Sequence, residues 1–133
     1  MILGIGSDIV DMHRIEKTLS RFGDRFTNRC FDPLEIAKSE SLRGGGTHIA
    51  TYARRFAAKE ATSKALGTGF THGVAMRDIV VLNDKNGKPS LKLKNGALRR
   101  LEEMTPNGQT AFLHVTLTDE PPLAQAYVII EII

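Results

Sequence analysis

The sequence has a single cysteine, Cys30, no tryptophan, and only 6% aromatic residues. One cysteine excludes an internal disulfide framework and any zinc site built from the cysteines of one chain. No apolar run approaches the roughly 20 residues of a membrane-spanning helix, so we expect no membrane span. The first residues have neither a basic lead-in nor a small-residue cleavage motif, which predicts a cytoplasmic protein rather than a secreted one.

The chain is ordinary in size and moderately basic. It has 133 residues, of which 41% are hydrophobic, which predicts one domain over residues 1–133 with a packed core. The formal net charge is +3, and basic side chains outnumber acidic ones in residues 13–29. This charge points to an anionic partner, but it does not distinguish nucleic acid from phosphorylated small molecules or acidic proteins.

The spacing of apolar residues changes its period along the chain and predicts an α+β domain. The expected elements are a strand at 2–10, helices at 12–22, 24–29, 33–41, 48–66 and 95–104, a hairpin with its tip at Asn86-Gly87, and strands at 111–118 and 124–132. Together they predict a mostly antiparallel sheet with the long central helix packed on it. Asp11, Asp32 and Thr47 are the expected helix caps, and Gly44–Gly46 is expected to be a flexible break.

Two glycines share one face of the first predicted strand. Gly4 and Gly6 alternate with apolar residues, and Asp8 lies on the glycine face. Glycines on one strand face imply close approach by another backbone or by a ligand. We therefore expect Asp8 to face inward or toward a ligand.

The long helix carries a carboxylate where its pattern predicts an apolar residue. At about 100° per residue, Tyr52, Phe56 and Glu60 share one face of an amphipathic helix. Burying an unpaired carboxylate costs several kcal/mol, so a cation of the chain or a bound metal must compensate Glu60.

Two interpretations of these carboxylates stay open on spacing alone. Asp8 and Glu60 together suit Mg²⁺, which takes oxygen ligands from one or two carboxylates and completes its shell with water and substrate phosphates. Alternatively, each carboxylate pairs with a base. Lys64 follows Glu60 by four residues in the favourable order for an ion pair.

The exit of the long helix also has two interpretations. Lys64 and Gly67-Thr68-Gly69 are able to hold a phosphate, but the dipole at a helix C-terminus does not favour an anion. The alternative is that the glycines only end the helix and bind nothing. No P-loop and no dinucleotide-binding fingerprint is present. His114, in a predicted strand, has no partner at metal-ligand spacing, and a structural role is its alternative.

Taken in order, these motifs resemble the holo-[acyl-carrier-protein] synthases, which are small bacterial 4′-phosphopantetheinyl transferases. The matching segments are Gly4-Ile5-Gly6-Ser7-Asp8-Ile9-Val10, Arg14-Ile15, Arg55-Phe56-Ala57-Ala58-Lys59-Glu60-Ala61, Lys64-Ala65, Gly67-Thr68-Gly69, Asn86-Gly87-Lys88-Pro89 and His114-Val115-Thr116-Leu117. The resemblance implies transfer of phosphopantetheine from coenzyme A to a serine of apo-acyl carrier protein, for fatty acid biosynthesis. Adenosine 3′,5′-bisphosphate would leave.

The resemblance also implies roles for individual residues. Asp8 and Glu60 would hold Mg²⁺ on the coenzyme A pyrophosphate, Lys64 would stabilise the same phosphates, and Glu60 would take the serine proton. The coenzyme A contacts would come from Ser63, Lys64, Gly67, Thr68, Gly69, Asn86, Gly87, Lys88, Pro89 and His114, with His114 near the 3′-phosphate. Arg14, Arg21 and Arg25 would dock an acidic helix of the carrier protein. A homotrimer with active sites between subunits is implied as well.

Two other classes of protein are compatible with the composition. A small nucleic-acid-binding domain would account for the basic segment, but no aromatic stacking pair lies on a predicted strand. A non-catalytic coenzyme A-binding module is the third possibility.

In some members of the family a second histidine occupies the position of Asp119, so no role transfers to that residue.

Overall fold

The computed structural model describes all residues from Met1 to Ile133, and every expected helix and strand is present. In chain order they are β1 (Ile2–Asp11), α1 (Met12–Phe22), α2 (Asp24–Cys30), α3 (Pro33–Glu40), α4 (His48–Ala65), β2 (Ile79–Asn83), β3 (Pro89–Leu93), α5 (Asn95–Met104), β4 (Ala111–Glu120) and β5 (Leu123–Ile132). The α+β prediction is confirmed. None of the helices combines the length and the apolar character that a membrane span requires.

All strand pairs are antiparallel, as expected, but they form two sheets. The larger sheet has the order β1-β5-β4, and β2 and β3 form a separate hairpin. In the larger sheet Gly6 pairs with Val128, which pairs in turn with Val115. Because β5 is the central strand, β1 is an edge strand of the larger sheet.

Helix α4 lies at the centre of the molecule and is buried on most of its surface. Tyr52, Ala57, Ala58 and Ala61 are all fully buried, although they point in different directions around the helix axis. The prediction of a single apolar face is therefore wrong. The larger sheet covers one side of α4, while α1, α3 and the hairpin strand β2 cover others.

The two glycines of β1 allow the strand to pack directly on the backbone of α4. A Cβ atom at Gly6 would lie 1.9 Å from the carbonyl oxygen of Ala61, and one at Gly4 would lie 2.2 Å from that of Ala65. Any side chain at either position would overlap the helix. The expected close approach is confirmed, with a backbone as the neighbour, and it brings Asp8 beside the last turns of α4.

Local capping explains most of the helix boundaries. The Asp11 side chain accepts a hydrogen bond from the His13 N–H, and Asp32 forms a capping box with Glu35 at the start of α3. Thr47 occupies the cap position of α4 without a side-chain cap bond, contrary to expectation. The expected break at 44–46 is largely a short 3₁₀ turn, Arg43–Gly45.

Candidate active site

Asp8 forms an ion pair with Lys64 at the edge of the larger sheet. The Lys64 Nζ atom donates to the Asp8 Oδ1 atom at 3.2 Å and to the Ser7 carbonyl oxygen at 2.8 Å. The expected alternative pairing of Lys64 with Glu60 does not form. The reason is the glycine contact, which places β1 so close to α4 that Lys64 reaches across to the strand.

Glu60 lies half-buried beside this ion pair. Burial raises the pKa of Glu60, and the negative charge of Asp8 raises it further, while Lys64 and Arg14 oppose the shift. The structure therefore brings Asp8, Glu60, Lys64 and Arg14 within electrostatic reach of one another. Burial is the largest cause of the raised pKa of Glu60, and Lys64 and Arg14 only partly offset it.

This donor set fits a divalent cation that keeps most of its own shell. No group of three or more His, Cys, Asp or Glu side chains is arranged to hold a metal. Two adjoining carboxylates, here Asp8 and Glu60, are what Mg²⁺ uses when water and substrate phosphates supply the other ligands. A closed structural zinc site is excluded, because it needs four protein ligands.

The segment Gly67-Thr68-Gly69 that follows α4, called the glycine exit below, begins within one turn of Lys64. The Gly67 N–H donates to the Lys64 carbonyl oxygen at 3.0 Å, and the Gly69 N–H donates to that of Ser63 at 3.2 Å. Both glycines have positive φ angles, 76° and 59°, which other residues rarely adopt. Ser63 is buried and its hydroxyl donates to the Glu60 carbonyl oxygen, so Ser63 contacts the exit through its backbone.

The hairpin tip lies away from Asp8, Glu60 and Lys64 of the same chain. Asp84 holds the tip by accepting hydrogen bonds from the N–H groups of Asn86 and Lys88 at 2.8 and 2.9 Å. At the base of the tip, Asn83 accepts a hydrogen bond from Arg55 at 2.7 Å. Arg55 precedes the end of α4 by about 15 Å along the helix axis, at 1.5 Å per residue. Residues 86–89 and the glycine exit are therefore not brought together.

His114 is separated from Asp8 by the sheet itself. Its ring lies on the outer face of β4, where the Nε2 atom is 3.0 Å from the Glu131 Oε1 atom. Asp8 lies on the opposite face, which packs on α4. A ligand bound at Asp8 therefore cannot reach His114 of the same chain by a direct path.

The three arginines expected to dock a partner lie on or beside α1. Arg14 lies 6.0 Å from the centre of the Phe56 ring, next to the carboxylate cluster. Arg21 and Arg25 lie 5.1 and 5.9 Å from the Phe22 ring. The Phe22 ring is 41% exposed. The result is a basic surface with an aromatic ring between two guanidinium groups.

Sequence reasoning missed a buried ion pair directly beside Glu60. Lys59 and Glu35 are 0% and 1% exposed, and the Lys59 Nζ atom lies 2.6 Å from the Glu35 Oε1 atom. Lys59 also donates to the carbonyl oxygens of Met76 and Ile79. Burial lowers the pKa of Lys59, against the opposing charge of Glu35. No spacing rule links two residues that are this far apart in the chain.

Two neighbouring arginines of α4 were also missed. Arg55 is only 4% exposed, its Nε atom has no partner, and burial lowers its pKa. Arg54 pairs with Asp119 at 3.1 Å, which gives Asp119 a partner that the sequence did not indicate. The only sequence signal for these contacts is the presence of two consecutive arginines in a helix whose other residues are mostly buried.

Comparison with known proteins agrees with this architecture. The family profile of the 4′-phosphopantetheinyl transferase superfamily matches residues 4–125. The chain belongs to this superfamily. It is 58% identical to a holo-[acyl-carrier-protein] synthase of Rhizobium meliloti (strain 1021), over 98% of this chain and 92% of that relative.

Solved structures of the superfamily share the whole fold. The crystal structure of a holo-[acyl-carrier-protein] synthase from Neisseria meningitidis has a TM-score of 0.85 and 35% identity, covering 98% of this chain and 99% of that one. A holo-(acyl-carrier-protein) synthase from Bacillus anthracis str. Ames, solved in complex with CoA (3′,5′-ADP), has a TM-score of 0.79 and 36% identity, covering 98% and 97%. The family resemblance inferred from the motifs is therefore confirmed.

Proposed function

We propose that the chain is a holo-[acyl-carrier-protein] synthase that works in the cytoplasm and supplies holo-carrier protein for fatty acid biosynthesis. The observation that carries the proposal is the 58% identity over 98% of the chain to a protein of that activity. The serine hydroxyl of apo-acyl carrier protein attacks the phosphorus that bears the pantetheine arm. The bond to the second phosphate of coenzyme A breaks, adenosine 3′,5′-bisphosphate leaves, and the serine proton passes to a base.

Asp8 and Glu60 are the proposed ligands of Mg²⁺. The ion, when bound, would neutralise charge on the coenzyme A pyrophosphate. The support is that Glu60 lies half-buried next to Asp8, whose negative charge adds to burial in raising the pKa of Glu60. Lys64 contacts Asp8, and the flexible stem of its ammonium group would let it turn toward a phosphate.

Glu60 is the proposed base for the serine proton. Glu60 lies half-buried beside Asp8, and a carboxylate within hydrogen-bond reach of the attacking hydroxyl would accept its proton. We expect E60Q to keep coenzyme A binding but to lose at least about 100-fold in turnover, as typical for loss of a general base. An E60Q chain that binds Mg²⁺ and coenzyme A and turns over at the wild-type rate would contradict this role.

The coenzyme A contacts are proposed to come from two separate parts of the surface. Lys64 and the 67–69 exit form one part, and the hairpin tip 86–89 with His114 forms the other. Because one chain holds these parts apart, we propose that they meet between chains. The buried, partly unpartnered Arg55 guanidinium at the base of the hairpin adds positive charge to the second part.

A homotrimer is the proposed assembly. The outer face of the larger sheet leaves apolar side chains in solvent, including Ile5 at 68% and Tyr127 at 46% exposed. Ile5 is paired with Ile129, which is paired with His114, so the apolar residues and His114 share this face. A second copy of the chain seated on it would cover the apolar residues and bring His114 toward a neighbouring site.

Transfer of a labelled phosphopantetheine group from coenzyme A to apo-acyl carrier protein tests the function. We expect the carrier protein to gain one label when Mg²⁺ is present and none when it is chelated. A folded chain that binds coenzyme A without transferring label would be a non-catalytic module. A folded chain that binds neither substrate but retains nucleic acid would be the basic binding domain considered above.

A further inference from the structure

One face of α5 contacts both ends of the loop that follows α4. At the far end, Gly96 packs on the backbone of Gly73, so closely that a Cβ atom at Gly96 would lie 1.8 Å from the Gly73 carbonyl oxygen. At the near end, the Arg100 Nε atom donates to the Leu66 carbonyl oxygen at 2.9 Å. Gly96 and Arg100 are four residues apart and therefore share one face of the helix.

The bond from Arg100 satisfies a group that the helix leaves open. The last carbonyl oxygens of a helix have no partner within the helix, and a cation near them is favourable. Here the cation comes from a different helix, 34 residues further along the chain. The position of Leu66, and with it the start of the glycine exit, is thus tied to α5.

The guanidinium group of Arg100 also lies over the first glycine of the exit. Its Nη2 atom is 3.6 Å from the position that a Cβ atom would occupy at Gly67. Its nearest carboxylate, Glu103, is 3.9 Å away, which is beyond hydrogen-bond distance. The bond to Leu66 is therefore the contact that orients Arg100.

The loop between these two contacts has little structure of its own. Residues 66–73 form no helix or strand, and the Thr71 hydroxyl bond to the Thr68 carbonyl oxygen is one of the few bonds within the loop. No atom comes within 4 Å of a Cβ position at Gly69. The contacts with α5 at its two ends, together with the bonds to the last turn of α4, hold its shape.

We propose that Arg100 is a positioning residue for coenzyme A, because it holds residues 66–73 in the shape that receives the nucleotide. The inference rests on the proposed function, which assigns coenzyme A contacts to Gly67, Thr68 and Gly69. Arg100 contacts none of the carboxylate cluster. Its loss therefore weakens the binding of coenzyme A and leaves the chemical step unchanged.

The test compares R100M with R99M. Arg99 is on the same helix and carries the same charge, but it makes no hydrogen bond, and its Nη1 atom only approaches Gly73, at 3.8 Å from a Cβ position there. Hydrogen exchange of the amides in 66–73 is measured on the ligand-free chains. The Kd of coenzyme A is measured with Mg²⁺. The steady-state constants are measured with Mg²⁺ and apo-acyl carrier protein.

We expect R100M to exchange faster in this loop and to bind coenzyme A about tenfold more weakly, as for loss of one hydrogen bond from a charged group. Its kcat should stay within about twofold of wild type, and R99M should resemble wild type in every measurement. R100K should recover part of the affinity, because an ammonium group is also able to donate to Leu66; if R100M does not fold, R100K compared with R99M carries the same test.

Three outcomes would overturn the inference. The first is an R100M chain whose loop exchange and coenzyme A affinity match wild type. The second is an equal loss of affinity in R99M, which would assign the effect to net charge alone. The third is a loss of kcat with unchanged affinity. If wild type itself does not bind coenzyme A, the proposed function fails, and the exchange data alone decide whether Arg100 holds the loop.

Discussion

Lys59 and Glu60 are adjacent in the chain, but their charges lie in opposite surroundings. Lys59 points into the interior, where Glu35 and two backbone carbonyl oxygens surround its ammonium group. Glu60 points the other way, toward Asp8. The rotation of about 100° per residue separates the two directions. One residue therefore anchors α4, while its neighbour is available for chemistry.

Removing the buried ammonium group should destabilise the fold strongly. K59M leaves Glu35 charged and unpaired in the core, which typically costs about 3–5 kcal/mol of unfolding free energy. The expected loss should appear in urea denaturation followed by circular dichroism. K17M is the matched control, because Lys17 is exposed on α1 and its loss should change stability by less than about 0.5 kcal/mol. A K59M chain as stable as K17M would contradict the structural role of the pair.

At the residue scale, the sequence predicted the exceptional carboxylates and missed the buried base. Glu60 interrupts an apolar pattern, and Asp8 shares a face with two glycines, so local spacing marked both. Lys59 and Glu35 instead resemble ordinary surface charges of two helices. Only the packing of α3 against α4 brings them together, and a local pattern does not contain that information.

At the scale of elements, the contact between β1 and α4 positions the carboxylate cluster. G6A should destabilise the protein by about 3 kcal/mol or more, the top of the overpacking range. The reason is that the new Cβ atom would meet a helix carbonyl oxygen 1.9 Å away, which cannot rotate aside. Thermal unfolding measures the effect.

G44A provides the control for this substitution. Gly44 has no atom within 4 Å of its Cβ position, so we expect a change below about 1 kcal/mol. Equal stability of the G6A and G44A chains would show that β1 and α4 do not pack as described.

Helix α1 is the element that we propose to receive the carrier protein. Arg21 of α1 and Arg25 of α2 lie over the exposed Phe22 ring. Attraction between exposed charges is screened within about 8 Å at physiological ionic strength. The KM for apo-acyl carrier protein should therefore rise several-fold from low to high salt, and R21E should raise it about tenfold at low salt. K92E makes the same change of charge on the exposed side of β3 and should have little effect. A KM that does not respond to salt would exclude electrostatic docking.

Element boundaries were largely predictable, because caps, glycines and turn residues act locally. Asp11, the Asp32-Pro33 start of α3 and the Asn86-Gly87 tip each lie where expected. The burial of α4 on most sides was not predictable from its pattern. Its alanines and threonines are small enough to pack against several neighbours, but they give no strong hydrophobic signal around the helix.

At the scale of the whole molecule, one chain presents the two proposed parts of the site on different surfaces. The carboxylates and the glycine exit adjoin the edge strand β1. His114 lies on the outer face of the sheet, with an unpartnered apolar surface around it. The larger sheet itself separates Asp8 from His114, and the hairpin tip lies in the second sheet, which the order of elements along the chain did not reveal.

We propose that the active site for phosphopantetheine transfer lies between two chains of the assembly. Mixing two defective variants tests this proposal most directly. D8N damages one part of the site, and H114A damages the other. Each variant alone should transfer little label to apo-acyl carrier protein. After dissociation and random reassociation of an equal mixture, about one site in four of a cyclic trimer would combine two undamaged parts, with a matching share of wild-type activity. A mixture no more active than the two variants measured separately, with both folded and assembled, would contradict the account.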